Sequence, residues 1–304
     1  MRYAIYGLGR YFLGNLPSFT NVLVDAVLFT DTSSAQRKRI HEAFGCPVVE
    51  PKILAEQEAV IDKVFIAAPG YIDEITHTLM EEYGYSAEKI EFLKPNERFL
   101  LPKNCFENAS ILLDREAALN AIPKGGICCE VGVAYGDFSD LILSEMKPEK
   151  FYAIDYFATE NPYSATGINY LKRDNMTHRQ WYENRFKAEI TQGVVEVRQG
   201  ISWECLTGFP DEFFDYAYID AGHDYESVKK DIGAIDNKIK DGGFIQFNDY
   251  TPYCWNWSNN FYFVGIIPAV NEYINMSGGK CIIKYYCLDR SHSNSDIVVQ
   301  VRKT

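Results

Sequence analysis

The segment Glu130-Val-Gly-Val-Ala-Tyr-Gly-Asp-Phe-Ser139 follows directly on the apolar run Ile127-Cys-Cys129. Ile127 to Val131 has the length and composition of a buried strand. Gly132 and Gly136 then make a turn, and Asp137 to Ser139 open a helix. Glycines at such a turn let the backbone approach a ligand. A helix N-terminus ordinarily welcomes an anion, but Glu130 and Asp137 place negative charge beside this one, which suits a cationic ligand.

On both sides of that turn, short β-prone runs alternate with helical segments. Downstream lie Phe151-Ile154, Val194-Val197, Phe214-Ile219 and Gly243-Phe247, with two late runs, Cys281-Cys287 and Asp296-Val301, adjacent without a helix. Together with Ile127-Val131 they predict a seven-stranded α/β sheet, preceded by a helix over Asp114-Ala121. Tyr225, Val228, Ile232, Ile235 and Ile239 recur at helical steps and predict one buried stripe, leaving Lys229, Lys230 and Asp231 on a solvated face. Upstream, Tyr3-Tyr6, Ala26-Phe29, Val64-Ala67 and Ile90-Leu93 predict a smaller parallel α/β unit. Pro95, Asn96 and Pro102 mark the seam, so the expected domains are 1–100 and 108–304. No internal repeat is visible.

Composition narrows the function. The net charge of −12 opposes long-range attraction to nucleic acid or anionic membranes, although a local basic patch remains compatible with it. No run is long and apolar enough to span a bilayer and the start has no signal-peptide core, so the default address is the cytoplasm. The eight cysteines show no CxxC spacing, which argues against a zinc site. Cys128 and Cys129 read as small buried hydrophobes.

S-adenosylmethionine, with its amino group and sulfonium, is a cationic ligand of the kind the first turn suits. The segment Glu130 to Gly136 resembles the first motif of class I methyltransferases. That resemblance implies Gly132 under the methionine part of the cofactor, Gly136 in the same loop, and Glu130 and Asp137 near its amino end. Asp155 ends the second strand, where one carboxylate can accept from both ribose hydroxyls. Gln199-Gly-Ile-Ser-Trp203 is similar to the adenine-side segment, which makes Ser202 a candidate for base contact; Trp203 serves equally well as packing at the sheet rim.

Tyr218-Ile-Asp-Ala-Gly-His-Asp-Tyr-Glu-Ser227 and Asp241-Gly-Gly-Phe-Ile-Gln-Phe-Asn-Asp-Tyr250 resemble a bacterial methyltransferase family with an IDGxHxYE-like segment and a GGxxxxxDY-like fifth strand. The resemblance spans roughly 110 to 300. Ala221 replaces a frequent glycine and Asn248 a frequent histidine. Asp220, His223, Asn248 and Asp249 fall at neighbouring strand ends, where open α/β sheets bind ligands. A hydroxyl acceptor needs its proton removed, and His223 is the candidate base, with Asp220 beside it. Asp220, Asn248 and Asp249 are an all-oxygen set that suits magnesium, as in catechol-type O-methyltransferases.

Aromatic residues crowd the expected roof: Tyr156, Phe157 and Tyr163, then Tyr250, Tyr253, Trp255, Trp257, Phe261 and Tyr262. They suit stacking on a sugar or flat acceptor, or else a lid core or a homo-oligomer contact. Arg173, His178, Arg179 and Arg185 in the insert 169–186 are cations for an anionic acceptor such as a sugar nucleotide, or a solvated helix face. The reading is O-methylation of a sugar or related small molecule, the sugar resting on the resemblance.

At the front, Gly7, Gly9 and Gly14 with Asp31 imitate a dinucleotide fingerprint, but the spacing is Gly-x-Gly-x4-Gly. The segment looks like small Rossmann-type domains of sugar-modifying enzymes. A nucleotide pocket and a fold kept for assembly are both open there. A non-catalytic scaffold and an NAD-dependent sugar-modifying enzyme are the alternative functions for the chain.

Overall fold

The computed structural model describes residues 1–44, 47–157, 176–255, 261–288 and 295–303, with the side chains of 42–44, 253–255 and 261–263 left aside. Tyr163, Arg173 and Trp257 lie outside the described residues, as do the side chains of Tyr253, Trp255, Phe261 and Tyr262. Contacts divide the chain into Met1–Leu100 with Asn260–Tyr262, and Leu101–Asn259 with Phe263–Thr304.

The front unit holds β1 (Tyr3–Tyr6), β2 (Ala26–Thr30), β3 (Val48–Val49), β4 (Lys63–Ile66) and β5 (Ile90–Phe92), all parallel in the order β3-β2-β1-β4-β5. Ala4, Tyr6, Val64 and Ile66 pack with Leu54, Ile75 and Leu79 on one face. The strand β3 was not expected; two half-buried valines are too short a run to signal a strand.

The second unit carries β6 (Ser110–Leu112), β7 (Ile127–Val131), β8 (Lys150–Asp155), β9 (Val195–Gln199), β10 (Phe214–Ile219) and β11 (Ile239–Phe247). Two short strands, β12 (Tyr253–Trp255) and β13 (Phe261–Phe263), precede β14 (Cys281–Cys287) and β15 (Asp296–Val301) in sequence. The sheet order is β6-β14-β15-β11-β10-β7-β8-β9, and β15 is antiparallel to both its neighbours. The seven expected strands are joined by an eighth, β6, on the β14 edge, where Ser110–Leu112 pairs with Tyr285–Cys287. From β7 the chain steps to β8 and β9 on one side, then returns to β10 and β11 on the other. That reversal opens a crevice at the carboxyl ends of β7 and β10, where doubly wound sheets bind ligands.

The Tyr225–Ile235 helix is capped by Asp224, whose carboxylate accepts from the Ser227 amide at 3.0 Å. It buries Val228, Ile232 and Ile235 as expected, while Ile239, also buried, begins β11 instead of extending the helix. Asp231 does not sit on the solvated face: it is fully buried. Position 231 lies three residues after Val228 and four before Ile235, so helical geometry carries it onto the same stripe. Burial pushes its carboxyl up to about 6, against the pull of Ser202.

Candidate functional site

The glycine turn is built for the protein's own backbone. Gly132 has φ 85° and Gly136 φ 84°, both left-handed. A Cβ on Gly132 would overlap the Asp220 carbonyl, with its carbon at 2.6 Å, and one on Gly136 would meet the Phe186 and Tyr182 rings. Both glycines are therefore required by packing against β10 and the 178–186 segment, before any ligand is considered. The Asp220 amide donates to the Val131 carbonyl at 2.7 Å and the Gly132 amide to Ile154 at 2.8 Å, which ties the turn to both neighbouring strand ends. From outside, the Arg185 guanidinium donates to the Tyr135 carbonyl at 2.7 Å, and His178 Nε2 bonds the Ala134 carbonyl.

Asp155 ends β8 and faces the turn. Its Oδ2 accepts from the Val133 amide at 2.9 Å and its Oδ1 from the Phe157 amide at 2.6 Å. Each carboxylate oxygen keeps further acceptor capacity, so the group both shapes the loop and stands at the crevice. Glu130 lies deeper, 2% exposed, bonded to the Ser139 hydroxyl, which also accepts from Tyr182 at 2.9 Å. Burial holds the Glu130 carboxyl well above the usual range, the Ser139 bond and the Arg115 charge acting in the opposite sense. Asp137 is not brought to the crevice: its side chain is 83% exposed and pairs with Arg185 at 2.6 Å. As the first residue of the helix it points along the outer surface.

At the ends of β10 and β11, Asp220, His223, Asn248 and Asp249 come together. His223 Nε2 lies 3.2 Å from Asp220 Oδ1, and Nδ1 lies 3.5 Å from Asp249 Oδ2. Asn248 Nδ2 donates to Asp220 Oδ1 at 2.9 Å, while its Oδ1 accepts from the Tyr218 hydroxyl at 3.0 Å. That orientation follows from the partners. An ionised Asp220 can only accept, and Tyr218, which accepts from Arg115 Nη1 at 3.0 Å, has its own proton left to give. Gly265 locks the histidine turn from the other side: its amide donates to the His223 carbonyl at 2.7 Å, and a Cβ there would collide with Tyr225.

This arrangement does not form the expected magnesium trio. The Asn248 oxygen is turned inward to the Tyr218 hydroxyl, while Asp220, His223 and Asp249 each bring a ligand atom to within 4.8 Å of the others. An imidazole with two carboxylates is not the all-oxygen set that magnesium prefers.

Other expected residues divide. Ser202 begins the Ser202–Thr207 helix and acts on buried Asp231. Trp203 lies under the Lys230 ammonium at 4.7 Å, a surface packing role. Tyr156 is 61% exposed and available, but Phe157 is buried against His178 and Tyr182, and Tyr250 is buried with its hydroxyl on Asn271. Arg179 pairs with Glu183, and Arg185 with Asp137 and Asp140. Arg115 and Tyr218 were missed as parts of the site. An arginine in the first turn of a helix, more than 100 residues upstream, carries no local signal of its partner.

The front unit repeats the Asp155 pattern. Gly7 has φ 96°, the Leu8 amide donates to Asp31 Oδ2 at 2.8 Å, and the Ser33 amide to Asp31 Oδ1 at 2.8 Å. Nothing lies within 4 Å of a Cβ built on Gly14, so the displaced third glycine serves no close packing.

Residues 129–250 match a family model described as a methyltransferase domain. Among solved structures, the chain is similar to cofactor-bound Rv0187 from MTB, at 14% identity over 62% of this chain and 78% of that one, with a TM-score of 0.43. It is also similar to precorrin-6y C5,15-methyltransferase from Geobacter metallireducens, at 12% identity over 62% and 86% and a TM-score of 0.40. A third is the 1,6-didemethyltoxoflavin-N1-methyltransferase of Burkholderia thailandensis, at 12% identity over 62% and 76% and a TM-score of 0.39. No curated protein matches the chain. Residues 129–250 are a methyltransferase domain on a class I Rossmann-like sheet, and the chain is an S-adenosylmethionine-dependent methyltransferase.

Proposed function

We propose that the chain methylates a hydroxyl oxygen of a sugar, a sugar nucleotide or a related small molecule. The observation that carries this reading is His223, placed between Asp220 and Asp249 at the crevice. When bound, S-adenosylmethionine supplies a methyl group on a sulfonium. In this reading Asp155 accepts from the ribose hydroxyls, the Gly132 to Gly136 loop lies under the methionine part, and Glu130 supports that loop from beneath through Ser139. Asp220, oriented by Asn248, holds His223 through Nε2. The acceptor hydroxyl would give its proton to His223 as its oxygen takes the methyl group that the sulfonium would supply. Asp137, paired with Arg185, takes no part. No step runs through a metal.

The test is transfer of labelled methyl to a panel of sugars and sugar nucleotides. On an acceptor that turns over, His223→Ala should lower the rate by roughly 10² to 10⁴ with cofactor affinity retained, and a chelator should leave the wild-type rate unchanged. Full activity of His223→Ala would remove the base assignment.

A further inference from the structure

The second unit has a cleft at the opposite end of its sheet from the methyl-transfer site. It has a volume of about 320 Å³ and is lined by Asp236, Tyr273, Ser277, Lys280, Arg302 and Lys303, among others. Asp236 precedes β11 and the crevice lies beyond Phe247. The nine residues of β11, at about 3.3 Å each, set the two sites some 25 Å apart.

Its charge is out of keeping with the chain. Acidic residues outnumber basic ones 42 to 30, and several cations of this unit pair with carboxylates: Lys150 with Glu196, Lys229 with Glu272, Lys238 with Asp211, Lys240 with Asp215. Among the described residues, the Lys280 and Arg302 side chains make no such pair, although both border one cleft. Backbone bonds hold their bases together: the Arg302 amide donates to the Lys280 carbonyl at 2.8 Å, and the Lys280 amide to Ser277 at 3.3 Å. Lys303 is anchored by its ammonium on the Asp236 carbonyl at 3.0 Å, and the Asp236 carboxylate is engaged by the Tyr273 hydroxyl at 2.6 Å. The lining holds three cations and one carboxylate, a positive excess that Asp241, which accepts from the Lys303 amide at 2.8 Å, reduces. A phosphate monoester, near −2 at neutral pH, puts more negative charge on a single centre than a carboxylate does. A guanidinium fork beside a lysine point charge is a donor set that suits phosphate oxygens.

We infer that this cleft is a second ligand site, remote from the chemistry, that binds the phosphate group of a small phosphorylated molecule through Lys280 and Arg302. Because the two sites lie at opposite ends of the sheet, the inference does not depend on the acceptor assigned above.

Calorimetry of the full chain with inorganic pyrophosphate and inorganic phosphate, in about 0.15 M sodium chloride, tests it. Wild-type protein should bind both, acetate should not compete, and Lys280→Ala and Arg302→Ala should each weaken binding by about tenfold or more. Lys187→Ala, an exposed lysine elsewhere on the unit, should bind like wild type. S-adenosylmethionine affinity, measured on the same samples, should be unchanged in all variants and certifies that they are folded. Equal pyrophosphate affinity in wild type and both cleft variants overturns the proposal, as does absence of binding or equal competition by acetate.

Discussion

Asp155→Ala separates the two tasks of one carboxylate. In the structure the group accepts from the Val133 and Phe157 amides, at 2.9 and 2.6 Å. Bonds to a charged acceptor contribute about 1.5 to 3 kcal/mol each, and the partial exposure of Asp155 places them at the lower end, so the variant should lose about 2 to 3 kcal/mol of stability. The ribose reading adds a separate loss, at least tenfold in cofactor affinity, or about 1.4 kcal/mol. Calorimetry with S-adenosylhomocysteine and its 2′,3′-dideoxy analogue, on wild type and Asp155→Ala, closes a double cycle. If Asp155 holds the diol, the variant should lose much affinity for the first ligand and little for the second. Equal losses for both would show that Asp155 only shapes the loop, and unchanged affinity for both would remove it from the cofactor site.

Gly132→Ala should cost more than about 3 kcal/mol in chemical denaturation, since a left-handed alanine costs about 1 to 2 kcal/mol and its Cβ strikes the Asp220 backbone, which no rotamer relieves; a loss under about 1 kcal/mol would contradict the packing account. Asp296, 3% exposed and bonded by Gln246 Nε2 at 2.6 Å, is raised from 3.8 to about 7, chiefly by burial. Between those values the unfolded chain has released the proton that the fold retains, so stability should fall as pH rises from about 4 to 7, by at most about 4 kcal/mol. Asp296→Asn should flatten that slope; a slope equal to wild type in thermal melts would count against it. A fragment 101–304, cut where the contacts divide, should fold and bind S-adenosylmethionine, and an insoluble or cofactor-blind fragment would show that the front unit completes it.

Local pattern determined the longer strands, because a buried strand needs little more than a short β-prone apolar run between breakers: β7, β10, β14 and β15 fall on the runs read from the sequence, whereas the short edge strands β3 and β6 do not. The same holds for the glycine turn and for Asp155, Asp220, His223 and Asp249 at strand ends, since position along a parallel strand is a property of the chain. What each side chain does there was left to the tertiary structure. Gly132 answers to Asp220, 88 residues away, and Asn248 faces inward because Arg115 and Tyr218 complete its bonds. Asp137 and Asp231 look alike in sequence, acids on helices, yet one lies in water with Arg185 and the other is buried. Orientation and burial depend on partners distant in the chain, and only folding brings those partners within the few ångströms over which hydrogen bonds and charge pairs act.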